Sequence, residues 1–183
     1  MTEGVRSFDP AALVRLRKAR GLSHDALGER VGRARPNMIA WEKGPAKPSP
    51  AKLVGLARAL GVQPWELTTA GPETAELADL RGWAGLTQQE LADKAAIMRS
   101  TYSLLERGGL PLRRDVAERI AVAIGCDVEI VERAAARNGP ADPKVQGTES
   151  TSPSQGQRRP RAAQAAPSGP VSPPPAPGRH RSR

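Results

Sequence analysis

Cys126, His24 and His180 are the side chains best suited to attack a substrate or hold a metal, and their number excludes both roles. A single cysteine forms no internal disulfide framework and no cysteine-based zinc site, and two histidines do not build a metal cluster. The sequence offers no nucleophile–base pair, no paired carboxylates and no phosphate-binding loop, so it reads as a non-enzyme without a cofactor. What remains is the chemistry of charge and hydrogen bonding. The formal net charge is +9, with 28 basic and 19 acidic residues. Seven basic and two acidic residues lie from Asn138 onward, leaving 21 basic and 17 acidic before it, so the tail is the more basic region per residue. Arginine heavily outnumbers lysine and Ala, Gly and Pro are plentiful, as in GC-rich bacterial coding, which makes charge alone weak evidence for a nucleic-acid partner.

The elements that would position this chemistry are read from period and punctuation. Ser23 is a good N-cap, and the helix it opens carries Leu27 and Val31 on one face. Gly32 supplies the left-handed backbone of a sharp turn. Pro36 falls in the first turn of a second helix, where proline costs no hydrogen bond, and Met38 and Trp41 follow three apart. Two short helices crossing at such a turn make a helix-turn-helix over Ser23 to Gly44. Around it, Asp9 and Pro10 start a helix with Leu13 and Leu16 buried, stopping at Gly21. Ser49 and Pro50 start a capped helix with Leu53, Leu56, Ala57 and Leu60 on one face, closed by Gly61. Gln63 and Pro64 open a last short helix through Trp65 and Leu67.

A shift of 64 residues repeats the pattern without an insertion. Leu13 falls on Leu77, Leu16 on Leu80, Gly21 on Gly85, Ser23 on Thr87, Leu27 on Leu91, Glu42 on Glu106, Gly44 on Gly108 and Gly61 on Gly125. This regularity marks an internal repeat. It divides the chain into a flexible leader 1–8, a first domain 9–69, a short linker 70–72, a second domain 73–137 and a tail 138–183. A linker this brief predicts that the two domains touch. The copies differ at the turn, where Ala96 replaces Gly32 and must adopt a left-handed backbone or change the turn. Met98 gives the second copy's turn no obvious helix cap. Met38, Trp41, Tyr102 and Leu105 have core spacing, and Cys126, aligned with Val62, reads as a buried thiol.

The run LVRLRKARGLSHDALGERVG, then NMIAWEKG and LVGLARALGV, resembles the lambda-repressor-like (Cro/Xre) helix-turn-helix domain over Leu13 to Leu67, and the repeat extends the resemblance to two tandem copies. The resemblance implies an all-α fold of two five-helix domains and a double-stranded DNA partner, with the second helix of each motif, about Arg35 to Lys43 in the first copy, in the major groove. It places groove-facing positions at Ala34, Arg35, Pro36, Asn37 and Ala40, and at Met98, Arg99, Ser100, Thr101 and Leu104. Arg35 and Arg99 share one slot, where arginine can bind guanine or clamp phosphate, and Asn37 can address adenine or phosphate. His24 and Gln88 fall where the family contacts the DNA backbone, Lys43 and Arg107 lie at the far helix end, and Ser103 is a further polar contact. The resemblance also implies two structural ion pairs, Arg17 with Glu42 and Arg81 with Glu106. Ala40 and Leu104 stand where many relatives carry polar or basic groups, which reduces the bonds available to bases.

The tail from Asn138 is rich in Pro, Gly, Ser, Ala, Gln and Arg and almost lacks large apolar residues, so it reads as disordered. Its RRPR, Arg158 to Arg161, and terminal GRHRSR can add phosphate contacts. With no signal peptide and no apolar run long enough to span a membrane, the expected location is the bacterial cytoplasm, on the nucleoid when DNA-bound. The leading expectation is a sequence-specific transcriptional regulator, a repressor, pairing with itself or acting as a built-in pseudodimer. The competing one is an adaptor or antitoxin-like module whose domains bind a protein partner.

Overall fold

A computed structural model describes residues 4–139, and the expectations for the basic tail lie outside the described residues. The described chain is all-α: α1 (Pro10–Ala19), α2 (His24–Val31), α3 (Arg35–Lys43), α4 (Pro50–Leu60), a 3-10 turn (Pro64–Leu67), then α5 (Leu77–Trp83), α6 (Gln88–Lys94), α7 (Arg99–Glu106), α8 (Arg114–Ile124) and α9 (Val128–Arg137). None of these helices is long and apolar enough to cross a membrane.

Local chemistry explains most of the boundaries. Asp9 caps α1 by accepting from the Ala11 N–H at 2.8 Å, and Ser23 caps α2 by accepting from Ala26 at 3.0 Å. Thr87 and Glu90 form a reciprocal capping box at the start of α6. Ser49 precedes α4 without a side-chain cap. Pro50 has no N–H to satisfy, and the Lys52 and Leu53 amides both bond the Ser49 carbonyl at 2.9 Å, so the backbone does the work expected of the hydroxyl.

Each copy closes around its own core. In the first, Leu13, Leu27, Met38, Leu53, Leu56 and Leu67 are fully buried; in the second, Leu77, Leu91, Tyr102, Ile120 and Val131 are. Burying a leucine-sized side chain stabilises by about 1.5–3 kcal/mol, so these few residues carry each small domain. The last elements differ. The first copy ends in the 3-10 turn of Pro64–Leu67, whereas α9 continues from Val128 to Arg137 with Val131 and Ala134 inside. Cys126 is half-buried beside the second core rather than enclosed, and burial, followed by the charge of Asp127, pushes its thiol pKa up.

The leader is anchored from residue 4, where a frayed segment is the expectation from sequence. Val5 and Phe8 are buried in the first core, Val5 N–H donates to Pro48 O at 2.9 Å, and Phe8 forms an isolated bridge with Thr68. Two apolar residues three apart give too short a pattern to signal this. The copies also touch. Ser7 Oγ donates to Asp79 Oδ1 at 2.5 Å, and Trp83 Nε1 donates to Thr68 Oγ1 at 3.2 Å. Trp65 and Trp83 meet edge to face with centroids 5.9 Å apart.

The turn between α6 and α7 keeps the left-handed residue although the glycine is gone. Gly32 has φ +61° and Ala96, 64 residues on, has φ +51°. A left-handed alanine carries a penalty of about 1–2 kcal/mol, and glycine would restore about 0.4–1 kcal/mol of unfolded-chain entropy against that gain. Ala96→Gly is accordingly expected to raise stability in urea denaturation by about 0.5–1 kcal/mol. Gly32→Ala should lower it by a similar amount, and equal midpoints for Ala96→Gly and the native chain would refute the strain.

Candidate nucleic-acid interface

The two motifs repeat one plan of polar scaffolding. Arg17, in the last turn of α1, is buried and forks onto Glu42 at the end of α3: Nε donates to Oε1 at 2.5 Å and Nη2 to Oε2 at 3.0 Å. Its Nη1 donates to the Leu22 carbonyl at 2.8 Å, fixing the loop that leads into α2. Arg81 repeats this, with Nε on Glu106 Oε1 at 2.6 Å and Nη1 on the Leu86 carbonyl at 2.9 Å. One guanidinium thus joins the first helix, the next loop and the end of the third helix. Such a fork holds a carboxylate in a defined orientation, which lysine would not.

The second oxygen of each carboxylate also takes a side chain from the next helix. His24 Nε2 lies 2.9 Å from Glu42 Oε2, and Gln88 Nε2 donates to Glu106 Oε2 at 2.7 Å. Both partners open the second helix of their motif and both are half-buried. These two residues fall, by family resemblance, at positions that touch the DNA backbone; in the free chain their side chains hold the glutamate. The signal was present in sequence as a polar side chain 18 residues before the glutamate in both copies.

Burial pushes the Glu42 carboxyl pKa up, but hydrogen bonds from Arg17 and His24, with their charges, outweigh it and hold the group below its ordinary value of 4.5. A carboxyl depressed in the folded state contributes stability that is complete above its unfolded pKa and disappears as pH falls through the folded one. The melting temperature should therefore fall less steeply below about pH 4.5 in Glu42→Gln than in the native chain. Identical acid limbs would remove Glu42 from the account.

With the inner ends locked, the outer faces are left to solvent. Ala34, Arg35, Pro36 and Asn37 are exposed at the start of α3, and Lys43 is exposed at its end. Met98, Arg99 and Ser100 are exposed at the start of α7, and Leu104 and Arg107 further along it. Ala40, Thr101 and Ser103 are half-buried at the margins. Neither α3 nor α7 has a side-chain hydrogen bond capping its start; in α3 Pro36 has no N–H and the Asn37 N–H donates to the Ala34 carbonyl at 3.0 Å, which leaves the Arg35 N–H, whereas α7 has no proline in its first turn. The positive end of each helix dipole favours an anionic group there, with more free amides to support it in α7 than in α3.

The copies differ in how much positive charge they present. Arg33 is exposed just ahead of α3, whereas Ile97 in the matched position packs against the second core. Arg33 was not among the contacts expected from sequence; an arginine where the other copy has an apolar core residue is the signal that could have found it. Arg35 lies 3.9 Å from Asp25, a loose pair with both side chains about two-thirds exposed. Gln89 stands in place of Asp25 in the second copy and bonds Asp93 instead. The first turn is also tighter. Arg33 N–H donates to Gly28 O at 2.8 Å, and a Cβ on Gly28 would collide with the Arg33 carbonyl oxygen.

Among the described residues no group of histidine, cysteine and carboxylate side chains could hold a metal ion. The arrangement is one for holding an exposed helix start against an anionic surface, twice in one chain. A family model described as a helix-turn-helix domain matches the chain twice, over residues 11–69 and 74–136. Comparison with curated proteins and with solved structures gives no match.

Proposed function

The chain belongs to the helix-turn-helix family, in two tandem copies of the lambda-repressor-like (Xre/Cro) kind, and from that premise we propose that it is a sequence-specific DNA-binding transcriptional regulator acting as a repressor. In this reading α3 and α7 enter the major groove of double-stranded DNA. Arg35 and Arg99 address guanine or the adjoining phosphate, Asn37 addresses adenine or phosphate, and Ser100, Thr101 and Ser103 supply weaker polar contacts. Ala34, Pro36, Ala40, Met98 and Leu104 fit against the groove, where apolar groups meet thymine methyls. Lys43 and Arg107 neutralise backbone phosphates. The protein works in the bacterial cytoplasm, on the nucleoid when bound.

The observation that carries this reading is the matched pair of exposed arginines, each beside a helix start without a side-chain cap and each on a helix whose other end is tied by a buried arginine–glutamate pair. Preorganised helices lose little freedom on docking, so their contacts are not spent on ordering. Unbiased selection from random duplex DNA is the test. Enrichment of a defined motif, bound with an affinity that falls steeply with salt, is the expected result. Background binding with no enriched motif would reject it.

A second reading has its own support. Met98 is 71% exposed and Leu104 37% exposed on the same helix, an apolar character unusual for a surface meant for phosphates. It favours a protein partner for the second copy, as in an adaptor or antitoxin-like module. A pull-down partner that survives nuclease and is lost in Met98→Ser would support it.

A further inference from the structure

The two copies meet through unlike surfaces. Helix α4 of the first copy packs on α5 of the second, and a Cβ on Gly85, in the turn just after α5, would lie 3.2 Å from Val54 Cγ2 and 3.8 Å from Ala51 Cα. Val5 covers Gly82 and Thr68 receives the Trp83 N–H, again first-copy loops on the second copy's first helix. A two-fold relation would repeat every contact with the copies exchanged, placing α8 on α1. Among the described residues α8 and α1 are not a packed pair.

The residues at the two free surfaces differ accordingly. Ala51 and Val54 are replaced 64 positions on by Asp115 and Glu118, whose side chains are 54% and 58% exposed. Gly82 and Ala84 correspond to Lys18 in α1 and Arg20 just after it, both exposed. The seam is heterologous, head to tail, and neither end offers a second apolar copy of it.

We infer that one chain reads a DNA element without dyad symmetry. Where both copies engage, their half-sites are not related by a dyad, Arg35 addressing one and Arg99 the other. Inverted half-sites suit recognition helices related by a two-fold axis coincident with a dyad of the duplex, and a head-to-tail pair has no such axis. This inference rests on the DNA-binding reading above and concerns the symmetry of the site that reading requires.

The test uses the full chain on its selected element, with guanine N7 methylation interference on both strands and the stoichiometry measured by analytical ultracentrifugation. The expected result is one chain per element and a pattern of interfering guanines without a dyad, one part relieved by Arg35→Ala and the other by Arg99→Ala. Reversing one half-site should weaken binding by about tenfold or more. A single unrepeated half-site, governed by one arginine, also upholds the absence of a dyad. An inverted repeat, whether filled by one chain or by two, overturns the inference while leaving the regulator reading intact. Failure to enrich any element defeats the regulator reading, and this inference falls with it.

Discussion

Replacing Glu106 with alanine is expected to cost about 3–5 kcal/mol of stability. The Glu106 side chain is fully enclosed and the Arg81 side chain is 7% exposed. Truncation leaves the guanidinium without its counter-charge in a site that water does not reach, and strands the Gln88 amide that donates to Oε2. The loss measures the stranded charge more than the worth of the pair. Arg81→Met with Glu106→Leu should therefore be far less destabilising than the single changes added together. Urea denaturation checks both. Glu42→Ala should cost less than Glu106→Ala, because His24 keeps 28% of its side chain in water. A loss below about 1 kcal/mol for Glu106→Ala would mean that the pair behaves as a solvated surface bridge and does not set the orientation of α7.

Arg35→Ala is expected to weaken binding to the selected element by about 1–3 kcal/mol and to relax preference at one base position, leaving folding untouched. The side chain is 60% exposed and its pairing with Asp25 at 3.9 Å is loose, so its removal disturbs nothing inside the domain. Lys43→Ala should behave differently. A phosphate contact carries no sequence information, so its loss weakens all duplexes alike and reduces the salt slope by about one. Titrations of the selected and scrambled duplexes at several salt concentrations distinguish the two behaviours. If Arg35→Ala weakened scrambled and selected DNA equally, its role would be that of a phosphate clamp.

Much of the scaffold was legible because it is written in strong local signals. Gly21, Gly32, Gly44 and Gly61 punctuate the first copy and all have positive φ, as do Gly85, Gly108 and Gly125 in the second. The pair of Arg17 and Glu42 was expected from the family resemblance, and both copies keep the arginine and the glutamate 25 residues apart. The seam was not legible. Val5, Trp65, Trp83 and Gly82 have no like counterparts 64 residues away, so the repeat that revealed the domains carries no information about their contact. The second side chain on each glutamate left only a faint signal, a polar residue 18 positions earlier. His24 and Gln88 are different residue types, and only the geometry shows that both place a ring or amide nitrogen on the same carboxylate oxygen. Ala96 lay between these cases: the sequence posed two alternatives, and the left-handed one is adopted because the fold around it matches the glycine copy.

The central claim is that exposed arginines at two helix starts read bases, and one double-mutant cycle tests it most directly. The affinities of the native chain and of Arg35→Ala are measured at one salt concentration for the selected duplex and for a duplex changed at the guanine assigned to Arg35. The account predicts that the base change weakens the native chain by about 1–3 kcal/mol and has almost no further effect on Arg35→Ala, since the contact is already gone. Penalties that simply add would show that Arg35 does not touch that base, and would contradict the claim.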